Sequence, residues 1–165
     1  MFTPFTIIDF KNLCCRSLTS NTILYHFLTI LSLNRPPGKR SAMYSVIRSF
    51  GLNGLNGFAV AVEADVSGGM PALSIVGLPD SAVRESGDRV HAAARNLGFK
   101  WPDRRITVNL APADVRKTGP VYDLPLLLAV LSSAGQIEPP PEEAAFLGEL
   151  ALDGSLRPVS GVLPM

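Results

Sequence analysis

The feature that most constrains this chain is a change of hydrophobic period at residue 80. Before it, "YSVIRSF" (44–50), "FAVAVEADV" (58–66) and "ALSIVGL" (72–78) are short runs rich in β-formers. Such runs fit half-buried strands. After it, "PDSAVRESGDRVHAAARNLG" turns to helical spacing, with Val83, Val90, Ala94 and Leu97 on one face and Gly87 close to it. Asp80 or Ser81 supplies an oxygen for the orphan N–H groups of the first turn, and Gly98 stands where a helix ends. "RITVNLAP" (105–112) returns to strand character. "DLPLLLAVLSSAG" then predicts a largely buried helix ending near Gly135. After the exposed linker "IEPPPEEA", a hairpin is expected with strands 146–152 and 155–159 around an Asp153-Gly154 turn. The order β-β-β-α-β-α-β-β specifies an α/β (α+β) domain, a mixed sheet covered by two main helices.

Residues 1–42 differ from the rest of the chain. They carry five cations against one acid, whereas the remainder carries ten cations against thirteen acids. A slightly acidic domain lacks the broad basic surface of a dedicated nucleic-acid binder, and a local patch stays open. "TILYHFLTILSL" (22–33) is too short for a membrane span, which needs about 20 residues. The basic "NRPPGKRSA" after it lacks the small-residue pattern of a cleaved signal. Residues 1–42 are therefore expected to be an atypical extension, a poorly ordered tail with one short helix or an early start, and 43–165 the domain. Both cysteines, Cys14 and Cys15, lie in the extension, so the domain can hold neither a disulfide nor a cysteine-based zinc site. A cytoplasmic location is expected.

Candidate chemistry is sparse. His91 and Asp88 sit three apart on the first helix, too few ligands for a zinc centre, so a structural histidine is the better reading. The glycines of "GLNGLNG" (51–57) suit a hairpin or loop, and no Lys-Ser or Lys-Thr follows to complete a phosphate loop. Ser81, Ser132 and Ser133 offer hydroxyls, but Ser81 is better explained as a cap and no base lies near the other two. Arg104, Arg105, Arg116 and Lys117 cluster in sequence, as a solvated charged face or a contact for DNA or a neighbouring subunit. In "RKTGPVYDLPL" (116–126), Gly119 and Pro120 make a turn and Asp123 is expected to cap the next helix.

Four segments carry a resemblance: "GLPDSAVRES" (77–86), "ITVNLAPAD" (106–114), "KTGPVYDLP" (117–125) and "LGELALDGSLRPVSGVLP" (147–164). Together they resemble the N-terminal domain of Mg-chelatase-like AAA+ ATPases of the ComM (YifB) family, over residues 43 to 165. The resemblance implies a fold like the Lon proteolytic domain, shared with RadA. It also implies a complete protein that continues into a P-loop motor and acts on DNA in natural transformation as a ring-forming helicase. ATP and Mg2+ are implied for that full-length protein, with no cofactor and no metal in this chain. Self-association and DNA are the implied partners, with no membrane and no small-molecule substrate.

Two departures from Lon-type peptidases stand out. Those peptidases place a serine nucleophile after their Lys-x-Gly-Pro run, where this chain has Val121, and a base lysine where it has Leu163. A Ser/Lys mechanism needs both groups. The expected function is thus non-catalytic: assembly, DNA guidance or regulation of a motor outside this chain. The alternatives are a peptidase of unusual mechanism and a magnesium chelatase subunit. The domain is also expected to be incomplete at its C-terminus, leaving an exposed apolar edge and low solubility.

Overall fold

The computed structural model describes residues 6–9, 14–17, 43–162 and 165. Tyr44–Asn53 (β3) and Asn56–Ser67 (β4) form a long antiparallel hairpin in register Asn53↔Asn56 through Tyr44↔Asp65. Gly54 closes it at φ +66°, a conformation that glycine adopts without side-chain strain. Ala72–Val76 (β5), helix Ser81–Asn96 (α1) and Arg105–Ala111 (β6) form a parallel crossover, with Ala72↔Arg105 through Val76↔Asn109. β6 also pairs antiparallel with β4, so the sheet is mixed and the fold is α/β.

Chain order continues through a 3-10 turn at Pro120–Tyr122, helix Asp123–Ser133 (α2), Ala144–Leu147 (β7), Glu149–Leu150 (β8) and Leu156–Arg157 (β9). Two strands also lie in the N-terminal segment, Thr6–Asp9 (β1) and Cys14–Ser17 (β2). At four residues each they are too short to show in the sequence pattern. Among the described residues the main sheet runs β2-β1-β7-β3-β4-β6-β5, and β8 and β9 form a separate two-stranded piece. The apolar run 22–33 lies outside the described residues.

Alternation decides which face is covered. Ile47, Val62 and Leu110 are cross-strand neighbours on one face and all are buried, as are Ala64, Val108, Val66 and Ile106. Both helices lie over this face. α2 is buried along its whole length, and the Ser45 hydroxyl donates to the Ala129 carbonyl at 2.7 Å. α1 buries Val83, Ser86, Gly87, Val90, Ala93 and Ala94. The opposite face carries Tyr44, Val46, Arg48, Asp65 and Arg105, all exposed.

The expected strand 146–152 is divided. Gly148 leaves the ladder: its N–H donates to the Val121 carbonyl at 2.9 Å, and its carbonyl accepts from Leu124 N at 3.0 Å. The run therefore belongs to two sheets, with its break pinned to the start of α2.

Candidate functional site

The segments "GLPDS" and "KTGP" form one unit. Gly77 has φ +96°, and a Cβ there would come within 2.2 Å of the Leu110 carbonyl oxygen. Only glycine lets the chain cross β6 so closely. Leu78 and Lys117 then join by a backbone bond, Lys117 N to Leu78 O at 3.1 Å, and Asp80 N returns to Lys117 O at 3.0 Å. Asp80 is the cap of α1, accepting from Val83 N at 2.8 Å through Oδ1. Its other oxygen accepts from Gly119 N at 3.2 Å. One carboxylate thereby starts a helix and holds the Gly-Pro turn against it.

Lys117 is fully buried, at 0 % exposure. Its ammonium donates to the carbonyls of Pro112 and Val115. Burial pulls its pKa below the ordinary lysine value, an effect partly countered by Asp114. Lys117 therefore serves the loop's interior, and its ammonium is placed differently from the three arginines grouped with it in sequence. Arg104 and Arg105 are exposed at the start of β6, and Arg116 is exposed beyond its end. A seven-residue strand spans about 20 Å, so the sequence cluster becomes two separate positions.

Val121 is 6 % exposed and lies in the 3-10 turn after Gly119. It offers an apolar side chain at the position where the resemblance places a nucleophile, and its carbonyl is spent on Gly148. Leu163 lies outside the described residues. Tyr122 is buried beneath Gly51, and burial, with Asp80 nearby, raises its phenol pKa above the ordinary tyrosine value.

Asp123 does not cap α2. The helix continues directly from the 3-10 turn, its cap position is Tyr122 in helical conformation, and no side chain bonds there. Asp123 is instead buried in the first turn and takes a two-pronged bond from Arg89, Nε to Oδ2 at 2.8 Å and Nη2 to Oδ1 at 3.0 Å. Leu150 N also donates to Oδ2 at 3.1 Å. Arg89 further donates to Ala82 O and Ser86 Oγ. The carboxylate thus ties together α1, α2 and β8. Arg89 is the residue that sequence reasoning misses. Its signal is position: it stands three residues after buried Ser86 and four before buried Ala93, so an arginine there needs a buried partner.

The other candidates fall elsewhere. His91 is exposed and packs against Trp101, ring centroids 4.9 Å apart. Ser133 Oγ donates to Val130 O, and Ser132 is buried inside α2. Among the described residues no group of three side chains is arranged to hold a metal ion, and no helix is long and apolar enough to cross a membrane. Of the glycines in 51–57 only Gly54 lies in the tight two-residue turn, while Gly51 and Gly57 are paired within β3 and β4 opposite Phe58 and Leu52, and no Lys-Ser or Lys-Thr follows them.

Residues 62–165 match the family described as subunit ChlI of Mg-chelatase. The chain is 51% identical over 118 residues to an uncharacterized protein of Mycobacterium tuberculosis, covering 70% of this chain and 23% of that protein. It is 42% identical over 120 residues to the uncharacterized protein YifB of Escherichia coli, covering 72% and 24%. It is 41% identical over 121 residues to the competence protein ComM of Haemophilus influenzae, covering 73% and 24%. The chain thus spans under a quarter of the length of these relatives. The chain belongs to the Mg-chelatase subunit ChlI family, among the Mg-chelatase-like proteins similar to ComM and YifB.

Proposed function

We propose that this chain is a non-catalytic, Lon-like domain of a DNA-processing, ATP-dependent protein, acting in assembly, DNA guidance or control of the motor. The observation that carries the reading is the loop at Lys117–Val121. Its shape is held by Asp80, its lysine is bonded inward, and its buried position 121 is a hydrocarbon. A Ser/Lys acyl transfer needs a nucleophile and a free amine, and this loop supports neither role. ATP and Mg2+ belong, on this reading, to the part of the relatives that this chain does not span.

The name of the Haemophilus relative, a competence protein, supports a DNA substrate. Arg104 and Arg105 are the proposed contact, with Arg116 as a separate point. Phosphate contacts release counterions, so each one adds about 0.7 to 0.9 to the slope of log affinity against log salt. Binding to single-stranded and branched DNA across a salt series tests the idea. Replacing Arg104 and Arg105 by Ala is expected to flatten the slope. An unchanged slope would refute contact at this position.

A further inference from the structure

We propose that the groove between β5, α1 and the loop 100–104 holds an unpaired base of a single-stranded nucleic acid, stacked on Trp101 and His91. The inference rests on the DNA reading above and adds which form of strand is bound and how. The groove encloses about 760 Å³, within the range of small-ligand sites. Arg84, Asp88 and His91 line it from α1, at spacings of four and three that place them on one helix face. Trp101, Asp103 and Arg104 line it from the loop. The loop is held from behind: Lys100 N donates to Gln136 Oε1 at 2.8 Å, and Gln136 Nε2 donates to Lys100 O at 2.5 Å. That clamp fixes the backbone just before Trp101.

The rings and the charges together select the ligand. The Trp101 and His91 rings lie 4.9 Å apart, tilted by 36°. Packing against the core accounts for the inner part of Trp101. The same side chain also lines a second cavity of about 480 Å³, with Lys100 and Arg104. A ring open to two cavities and flanked by cations can stack a base while the cations meet its phosphates. Among the described residues Arg84, Lys100 and Arg104 have no side-chain hydrogen bond or ion pair, and neither have Asp88 and Asp103. The two acids would repel a bare polyanion. A nucleotide carries both complements: phosphate oxygens for the cations and, on the base, amino hydrogens that a carboxylate accepts. Cytosine offers its N4 amino group to such an acceptor, and thymine has none. In a duplex the base faces are stacked on their neighbours, so only an unpaired base reaches the rings.

Trp101 is the chain's single tryptophan, so its fluorescence reports the stack directly. The full chain is titrated with oligo(dC), oligo(dT), an abasic strand of equal length, a duplex and cytidine monophosphate. Oligo(dC) is expected to quench Trp101 and to bind several-fold tighter than oligo(dT). The abasic strand and the duplex are expected to leave the fluorescence unchanged. By anisotropy of a labelled oligo(dC), Trp101→Leu and the exposed-site variant His91→Ala are each expected to weaken binding about fivefold or more, with the salt slope unchanged. Asp88→Ala is expected to abolish the preference for dC over dT. Binding that depends on Arg104 and Arg105, yet neither quenches Trp101 nor responds to His91→Ala, overturns this inference and leaves the DNA reading standing. A duplex or the mononucleotide that quenches Trp101 at the same affinity as the strand overturns the single strand as occupant. Equal affinity for the two pyrimidine strands overturns the reading of the base by Asp88. No binding of any nucleic acid overturns this inference and the DNA reading together.

Discussion

Arg89 and Asp123 lie 34 residues apart in sequence, yet their side chains meet in a two-pronged bond at 2.8 and 3.0 Å. The two sides of the pair are not equivalent. Asp123 is 0 % exposed, while the Arg89 side chain is 21 % exposed. Removing the arginine strands a buried carboxylate, and removing the carboxylate leaves an arginine with a route to water. Breaking a buried pair from one side costs about 3–5 kcal/mol. Arg89→Ala is expected to lose that much, and Asp123→Ala clearly less. Urea unfolding of the two variants gives the comparison, and equal losses would contradict the asymmetry.

The two glycines that bracket α1 separate backbone conformation from space. Gly77 and Gly98 both have positive φ, +96° and +84°. At Gly77 a methyl group would strike the Leu110 carbonyl at 2.2 Å, whereas at Gly98 nothing lies within 4 Å. Gly98→Ala is expected to cost about 1 kcal/mol, the strain of the conformation alone. Gly77→Ala must also move β6 and is expected to cost several times as much. Thermal melts of both variants decide it, and similar losses would mean that the Gly77 crossing relaxes freely.

Much of this fold is legible in the sequence because it is local. The Asp80 cap, the α1 stripe and the β3–β4 hairpin each depend on residues a few positions apart. The misreadings all involve distant partners. Asp123 looks like a cap because an acid before an apolar run usually is one, and only the packing of α1 on α2 supplies Arg89. The run 146–152 looks like one strand because its pattern is continuous, and only Val121 and Leu124 reveal why Gly148 leaves the ladder. Arg104, Arg105, Arg116 and Lys117 look like one patch until β6 separates the ends and Lys117 turns inward.

Val121 gives a direct test of the loop's chemistry. Val121→Ser places a hydroxyl at the position where the resemblance to Lon-type enzymes puts a nucleophile. Lys117, bonded to two carbonyls, is not released by that change. The variant is expected to remain unlabelled by a fluorophosphonate probe. It should lose about 1–3 kcal/mol, because apolar surface is replaced by a hydroxyl with no assured partner. Labelling of the variant would show that the scaffold can still activate a nucleophile.

Tyr122 makes alkaline stability a readout of the same unit. Burial, with Asp80 nearby, raises its folded-state pKa above the ordinary value of about 10. The unfolded chain therefore loses this proton first as pH rises. Its contribution is fully present below about pH 10 and declines above it, since the folded state then holds more protons than the unfolded one. Tyr122→Phe keeps the ring and removes the titrating oxygen. The fall in melting temperature from about pH 9 to about pH 11 should be smaller in this variant than in the wild type, whatever other groups titrate in both. Parallel falls in the two proteins would mean that the Tyr122 phenol ionises in the folded chain as readily as in water.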